Sequence, residues 1–211
     1  MIKAKNAMNK GFMQGVIVND IFSPNDKFTS ITIRVRENKV LPETGKKNYY
    51  YVSFSAYGDM AKDIKENASK NQVVYIEYYL TQNKRRDNDG VLETVDNRVI
   101  TFIQYGDYLI YPNRSKVPYY NRGVISGEFV NVKYMPKSDD TAIMTIRTSA
   151  EVNGRTVFYY ANLVVKQDMI EEIENRCVQG EQTEVEFKTV TANRNNNPRK
   201  VVEYVVTNLV M

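Results

Sequence analysis

The sequence predicts a mostly-β chain folded as two tandem barrels of five strands, each with one short helix between its third and fourth strands. Three observations predict this. The chain repeats itself in four ordered blocks, its apolar residues alternate with a period of two, and a short helical period interrupts the alternation once.

The repeat sets the domains. "NKGFMQGVIVN" (9–19) returns as "NRGVISGEFVN" (121–131) at an offset of 112. "SITIR" (30–34) answers "MTIR" (144–147) at 113, and "YYVSFSAYGDMAKDI" (50–64) answers "YYANLVVKQDMIEEI" (159–173) at 109. "VITFI" (99–103) answers "VVEYV" (201–205) at 102. The order is kept while the offset changes only between blocks, as a duplication with altered loop lengths would leave it. The expected domains are 1–110 and 121–211, joined by a linker at 111–120 that carries two prolines and no apolar period.

Within the first repeat, alternation places strands at 12–20, 27–37 and 48–57. In "AKDIKENA" the Ile and Ala positions fit helical spacing, which places a helix at 58–69. A fourth strand is expected at 72–84 and a fifth, beyond a loop, at 97–109. Five strands with a helix between the third and fourth is the layout of an oligonucleotide/oligosaccharide-binding (OB) barrel.

Strand parity sorts the tyrosines of "NYYYVSFSAYGDM". Tyr50, Val52, Phe54 and Ala56 form a uniformly apolar set that must face the core. Tyr49, Tyr51, Ser53, Ser55 and Tyr57 fall on the other side, rings separated by hydroxyls. The second strand sorts alike, with Ile31, Ile33 and Val35 inward and Thr32, Arg34 and Arg36 outward. Three rings and two guanidiniums therefore share the outer surface of strands two and three, the usual OB ligand groove. Tyrosine, with a flat apolar ring and a polar tip, tolerates such a wet surface. In the second repeat Phe158, Tyr160 and Lys166 take the matching outward positions and Arg147 answers Arg34, while Tyr159, Ala161, Leu163 and Val165 turn inward.

Rings and cations on an open groove suit single-stranded nucleic acid. Every base has a π-face, each stack contributes roughly 1–3 kcal/mol, and Lys and Arg neutralise the backbone. Basic residues also crowd the flanking loops: Lys39, Lys46 and Lys47 before the third strand, and Lys84, Arg85 and Arg86 after the fourth. In the second repeat Arg194, Arg199 and Lys200 crowd the Asn-rich turn "NRNNNP". Singly, an outward Tyr or Arg is explained by cross-strand pairing. Their concentration on one face is what points to a ligand.

Composition excludes several other chemistries. The 211 residues contain no His and a single cysteine, Cys177. Ser-His-Asp and Cys-His nucleophiles, His-ligated metals, internal disulfides and cysteine-rich zinc sites are ruled out. No acid–base constellation converges, so no enzyme, cofactor or metal is expected. The net charge of +4 permits an anionic partner without demanding one. The N-terminal "MIKAKNAMNKGFMQG" has no apolar core of a secretory signal, and no run of 18 apolar residues occurs, so a cytoplasmic protein with no membrane partner is expected. "LPETG" (41–45) spells a sortase signal but lies before a strand and a whole domain; it reads as a turn. "TGKK" (44–47) lacks the residues of a P-loop, "DNDG" (87–90) reads as a hairpin turn, and "EEIE" (171–174) as a solvated helix face.

The stretches "MNKGFMQGVIVND" and "YYVSFSAYGDMAKDIKENASKNQVVYIE", in this order and spacing, resemble the bacterial and phage single-stranded DNA-binding (SSB) proteins. The resemblance covers most of 8–109 and, more faintly, 120–211. It implies that Tyr51 and Tyr57 stand where the family places base-stacking aromatics. Lys39 and Arg85 stand where it often has Trp, implying more reliance on charge. Family members typically end in an acidic-tipped tail that recruits other enzymes; here "VVEYVVTNLVM" reads as a last strand, so recruitment by that route is not expected. The family operates with four OB folds together, which for two folds per chain implies a homodimer in a bacterial or phage-infected cell. The implied role is coating single-stranded DNA in replication, recombination or DNA transfer. An RNA-binding OB protein and a protein-interaction OB module remain as alternatives.

Overall fold

A computed structural model describes residues 8–40, 47–86, 90, 92–106, 120–136, 138, 140–152, 155–192 and 201–210. The first repeat forms β1 (Asn9–Ile17), β2 (Phe22–Asn25), β3 (Phe28–Val40), β4 (Lys47–Tyr57), α1 (Asp59–Asn67), β5 (Val73–Arg86) and β6 (Leu92–Tyr105). The second forms β7 (Tyr120–Tyr134), β8 (Thr141–Val152), β9 (Arg155–Lys166), α2 (Gln167–Arg176), β10 (Gln182–Ala192) and β11 (Val201–Val210).

Each repeat closes on itself. In the first, β1 pairs with β3 and β5, β3 with β4, and β4 runs parallel to β6, which neighbours β5. In the second, β7 pairs with β8 and β10, β8 with β9, β9 runs parallel to β11, and β11 pairs with β10. This is the OB arrangement expected, with the helix placed between the third and fourth barrel strands each time. Closure encloses one core per barrel.

Those cores are the inward sets read by parity. Val52, Phe54, Ala56, Ile31, Ile33 and Val35 are buried in the first barrel, together with Ala61 and Ile64 of α1. Tyr159, Ala161, Leu163 and Val165 are buried in the second, with Ile170 and Ile173 of α2. The hydroxyl of Tyr105 donates to Asp63 Oδ2 at 2.6 Å and ties β6 to α1; burial, then this bond, pushes the phenol well above its usual range.

The glycines of the repeated opening motif have a packing reason. A Cβ on Gly11 would lie 2.1 Å from the Tyr78 ring, and one on Gly123 at 2.1 Å from the Phe187 ring. An aromatic of the fourth barrel strand thus lies flat over a bare backbone in both repeats. Gly15 and Gly127 likewise let the carbonyls of Arg34 and Arg147 approach, at 2.7 and 2.3 Å from the missing Cβ.

Three features differ from the sequence expectation, one being that the last strand of the first barrel begins at Leu92 rather than 97. The first strand begins at Asn9 rather than 12. Asn9 uses its side-chain amide to bond Leu80 in both directions, at 2.9 and 3.0 Å, so a polar residue that breaks the alternation is buried and satisfied. β2, with Pro24 in its middle, is an additional strand; it is the outermost of its sheet, where a missing N–H is tolerated.

The chain divides into two compact units. One comprises 11–79 and 97–121; the other comprises 122–211 together with 1–10 and 80–96. The distal half of the β5–β6 hairpin therefore groups with the second barrel's unit. Within that unit Gln82 Nε2 donates to the Tyr160 carbonyl at 2.8 Å and to Asp96 Oδ1 at 3.2 Å. No helix among the described residues is long and apolar enough to cross a membrane.

Candidate nucleic-acid interface

The β3–β4 register builds the candidate face rung by rung. Arg36 pairs with Tyr49, Arg34 with Tyr51, Thr32 with Ser53, Ser30 with Ser55, and Phe28 with Tyr57. All ten side chains fall on the outer side, opposite the core set. Tyr49, Tyr51 and Tyr57 are 38%, 46% and 47% exposed. The Arg34 guanidinium lies over the Tyr49 ring, 5.1 Å from its centroid, a cation–π contact. Nε and Nη1 of Arg36 are screened from water and have no hydrogen-bond partner among the described residues. Thr32 and Ser53 hydroxyls share a hydrogen bond at 2.9 Å in the middle of the face.

Four residues that parity on β3 and β4 did not single out complete this surface. Phe28 packs on Tyr57 at 5.4 Å between centroids, and Phe22 of β2 packs edge-on to Phe28 at 6.4 Å. Arg98 of β6 donates from Nε to the Ser53 carbonyl at 2.8 Å. Tyr79 of β5 has its phenol pushed up by burial first and by the nearby Tyr57 second. Phe22 lies in "FSPN", where Pro hides the strand signal, and Arg98 reaches β4 only because β6 runs beside it.

The second barrel repeats the rungs with altered chemistry. Arg147 pairs with Tyr160 as Arg34 does with Tyr51, and Thr145 with Asn162 as Thr32 does with Ser53. Phe158 and Tyr160 are exposed, the former at 61%. Ser149 pairs with Phe158 where the first barrel sets Arg36 against Tyr49. Where the first barrel has the Phe28–Tyr57 ring pair, Lys166 Nζ donates to Thr141 Oγ1 at 3.1 Å. Across the other edge Arg34 faces Val16, but Arg147 faces Glu128 and forms an ion pair with it.

Of the flanking cations, Lys84 and Arg86 are exposed on the hairpin half that groups with the second barrel, and Arg86 donates to the Gly90 carbonyl at 2.9 Å. Lys39, Lys47 and Arg85 are placed as backbone positions of β3, β4 and β5. Lys46, Arg194, Arg199 and Lys200, like "LPETG" and 111–119, lie outside the described residues. Cys177 closes α2, half-buried, with its thiol pushed up mainly by burial, which makes it a poor nucleophile.

Among solved structures, the wild-type single-stranded DNA binding protein from Thermus aquaticus aligns with 98% of this chain and 93% of its own, with a TM-score of 0.66 and 15% identity. The fold is that of the Thermus protein. A deletion mutant of it agrees, with 97% and 94% covered, a TM-score of 0.66 and 14% identity. At such identity the likeness is one of fold. No protein-family model matches the sequence. No curated protein matches it significantly.

Proposed function

We propose that this chain is a member of the SSB family that coats single-stranded DNA with little sequence preference. The observation that carries the reading is the outward row Tyr49, Tyr51 and Tyr57 with Arg34 and Arg36 on one face of the first barrel. The fold shared with the Thermus protein supports it. Bases stack on the exposed rings while Arg34 and the exposed cations of the flanking hairpin meet phosphates. A single strand needs no flipping to offer its bases, whereas a duplex hides them, so the face discriminates by strandedness. The hydroxyls between the rings offer donors and acceptors that any base edge can use, which suits tolerance of sequence. Lys39, Lys46, Lys47, Lys84, Arg85, Arg86, Arg194 and Arg199 extend the backbone contacts in this reading. The second barrel contributes Arg147, Phe158, Tyr160 and Lys166. A homodimer would bring four OB folds to one strand, in replication, recombination or DNA transfer. No reaction is assigned.

Fluorescence anisotropy with labelled oligo-dT, oligo-U and duplex DNA across a salt series tests this. Oligo-dT should bind well above duplex, and log affinity should fall linearly with log salt, with a slope of about 0.7 per phosphate contact. Equal affinity for duplex and oligo-dT would overturn the reading. Tighter binding of oligo-U would reassign it to RNA.

A further inference from the structure

Phe22 is the most exposed aromatic among the described residues of the unit that holds the first barrel, at 59%. It is carried on β2, a strand that among the described residues pairs with β3 alone, through Phe22–Ser30 and Asn25–Phe28. An exposed phenylalanine leaves apolar surface in water and, unlike tyrosine, has no hydroxyl to hydrate. It is not isolated. Phe22 meets Phe28 edge-on at 6.4 Å, and Phe28 meets Tyr57 at 5.4 Å, so three rings from three strands form one row. The row crosses the strands rather than following them, leading from the end of the tyrosine face out over the open edge of the sheet.

The second repeat lacks this arrangement. Its equivalents of Phe28 and Tyr57 are the hydrogen-bonded Thr141 and Lys166, and no described residue between β7 and β8 forms a counterpart of β2. Both barrels bury the corresponding inward positions, so the row is not something the fold requires. It is an addition to one barrel, placed where the candidate groove ends.

We propose that Phe22, propped by Phe28, is a further base-stacking station at which the bound strand leaves the first barrel's face, turning from the β4 direction across β3 and β2. The ligand class is an unpaired nucleobase, and the inference rests on the groove reading above. Phe28 acts by positioning Phe22 and Tyr57; Phe22 supplies the open ring face. The station takes any base, because stacking on a phenyl ring needs no hydrogen-bond match.

The chain contains no Trp, so a single introduced Trp reports its own surroundings. Three full-length variants are compared: Phe22→Trp, Tyr51→Trp, and Phe102→Trp, the last on an exposed ring outside the row. Each is titrated to saturation with oligo-dT of about 30 nucleotides, longer than the roughly 4–16 that one OB fold covers. The expected result is that a stacked base quenches the indole emission of the Phe22→Trp protein alongside that of the Tyr51→Trp protein, with Phe102→Trp unchanged. In parallel, Phe22→Ala should weaken binding of the long oligonucleotide about 5- to 100-fold, and Phe22→Tyr should restore it, with melting temperature unaltered. Quenching in Tyr51→Trp but not in Phe22→Trp would overturn the station and leave the groove standing. Quenching in neither would overturn both. Quenching in Phe102→Trp as strongly as in Phe22→Trp would also count against a defined station.

Discussion

The two faces of β4 show how one substitution type can have opposite consequences. Phe54 is 1% exposed and packs edge-on to Tyr78 at 5.0 Å, so Phe54→Ala should cost about 3–5 kcal/mol of stability in a denaturant titration. In the proposed function its outward neighbours Tyr51 and Tyr57 carry binding instead. Tyr51→Ala combined with Tyr57→Ala should weaken oligo-dT binding by about 2–5 kcal/mol, two stacking contacts with allowance for non-additivity. The melting temperature should fall only slightly, through loss of the Tyr57 contact with Phe28. A tyrosine pair that unfolds the protein while sparing per-molecule affinity would mean that the strand faces are assigned the wrong way round.

At the scale of elements, the opening motif shows why glycine recurs at fixed places. In β1 and β7 the backbone of Gly11 and Gly123 forms the floor on which Tyr78 of β5 and Phe187 of β10 rest. The aromatic covers the bare backbone of a side-chain-free position, a contact that a Cβ there would block. Gly123→Ala should therefore destabilise by about 1–3 kcal/mol, read from the urea midpoint, since its Cβ meets the ring itself. Adding Phe187→Leu should recover part of that loss, because the smaller side chain withdraws from the clash. Without recovery, the ring is not what the glycine accommodates.

At the scale of the whole molecule, the repeats are read as unequal partners, and we propose 1–110 and 121–211 as the functional halves. The first repeat has sixteen basic against thirteen acidic residues over 1–110, and the second thirteen against twelve over 111–211. The structure adds a local cause to that small imbalance: Glu128 occupies Arg147, whereas Val16 leaves Arg34 to stack on Tyr49. In the intact chain, Tyr49→Ala with Tyr51→Ala should weaken oligo-dT binding at least about tenfold more than Phe158→Ala with Tyr160→Ala. Glu128→Gln should strengthen it about two- to fivefold and steepen the salt slope, because a neutralised cation is released to phosphate. The reverse ranking of the two double variants would make the second barrel the principal binder.

Local period and comparison of the chain with itself were enough to settle the faces of each strand, the helices and the duplication. The inward set Tyr50, Val52, Phe54 and Ala56 and the outward set Tyr49, Tyr51 and Tyr57 followed from alternation, because successive side chains of a strand must point to opposite faces. The helices followed from a change of period, and the duplication from matched blocks at nearly constant offset. Tertiary structure alone decided what depends on strands distant in sequence lying side by side. Phe22 joined Phe28 and Tyr57 through the β2–β3–β4 pairing, Glu128 met Arg147 through the β7–β8 register, and Arg98 reached Ser53 through a parallel pair. The start of β1 at Asn9 escaped the alternation for the same reason, since its amide is satisfied by Leu80, far along the chain. Alternation constrains one strand at a time, while register is set by hydrogen bonds between strands, and a strand's own residues do not record its partner.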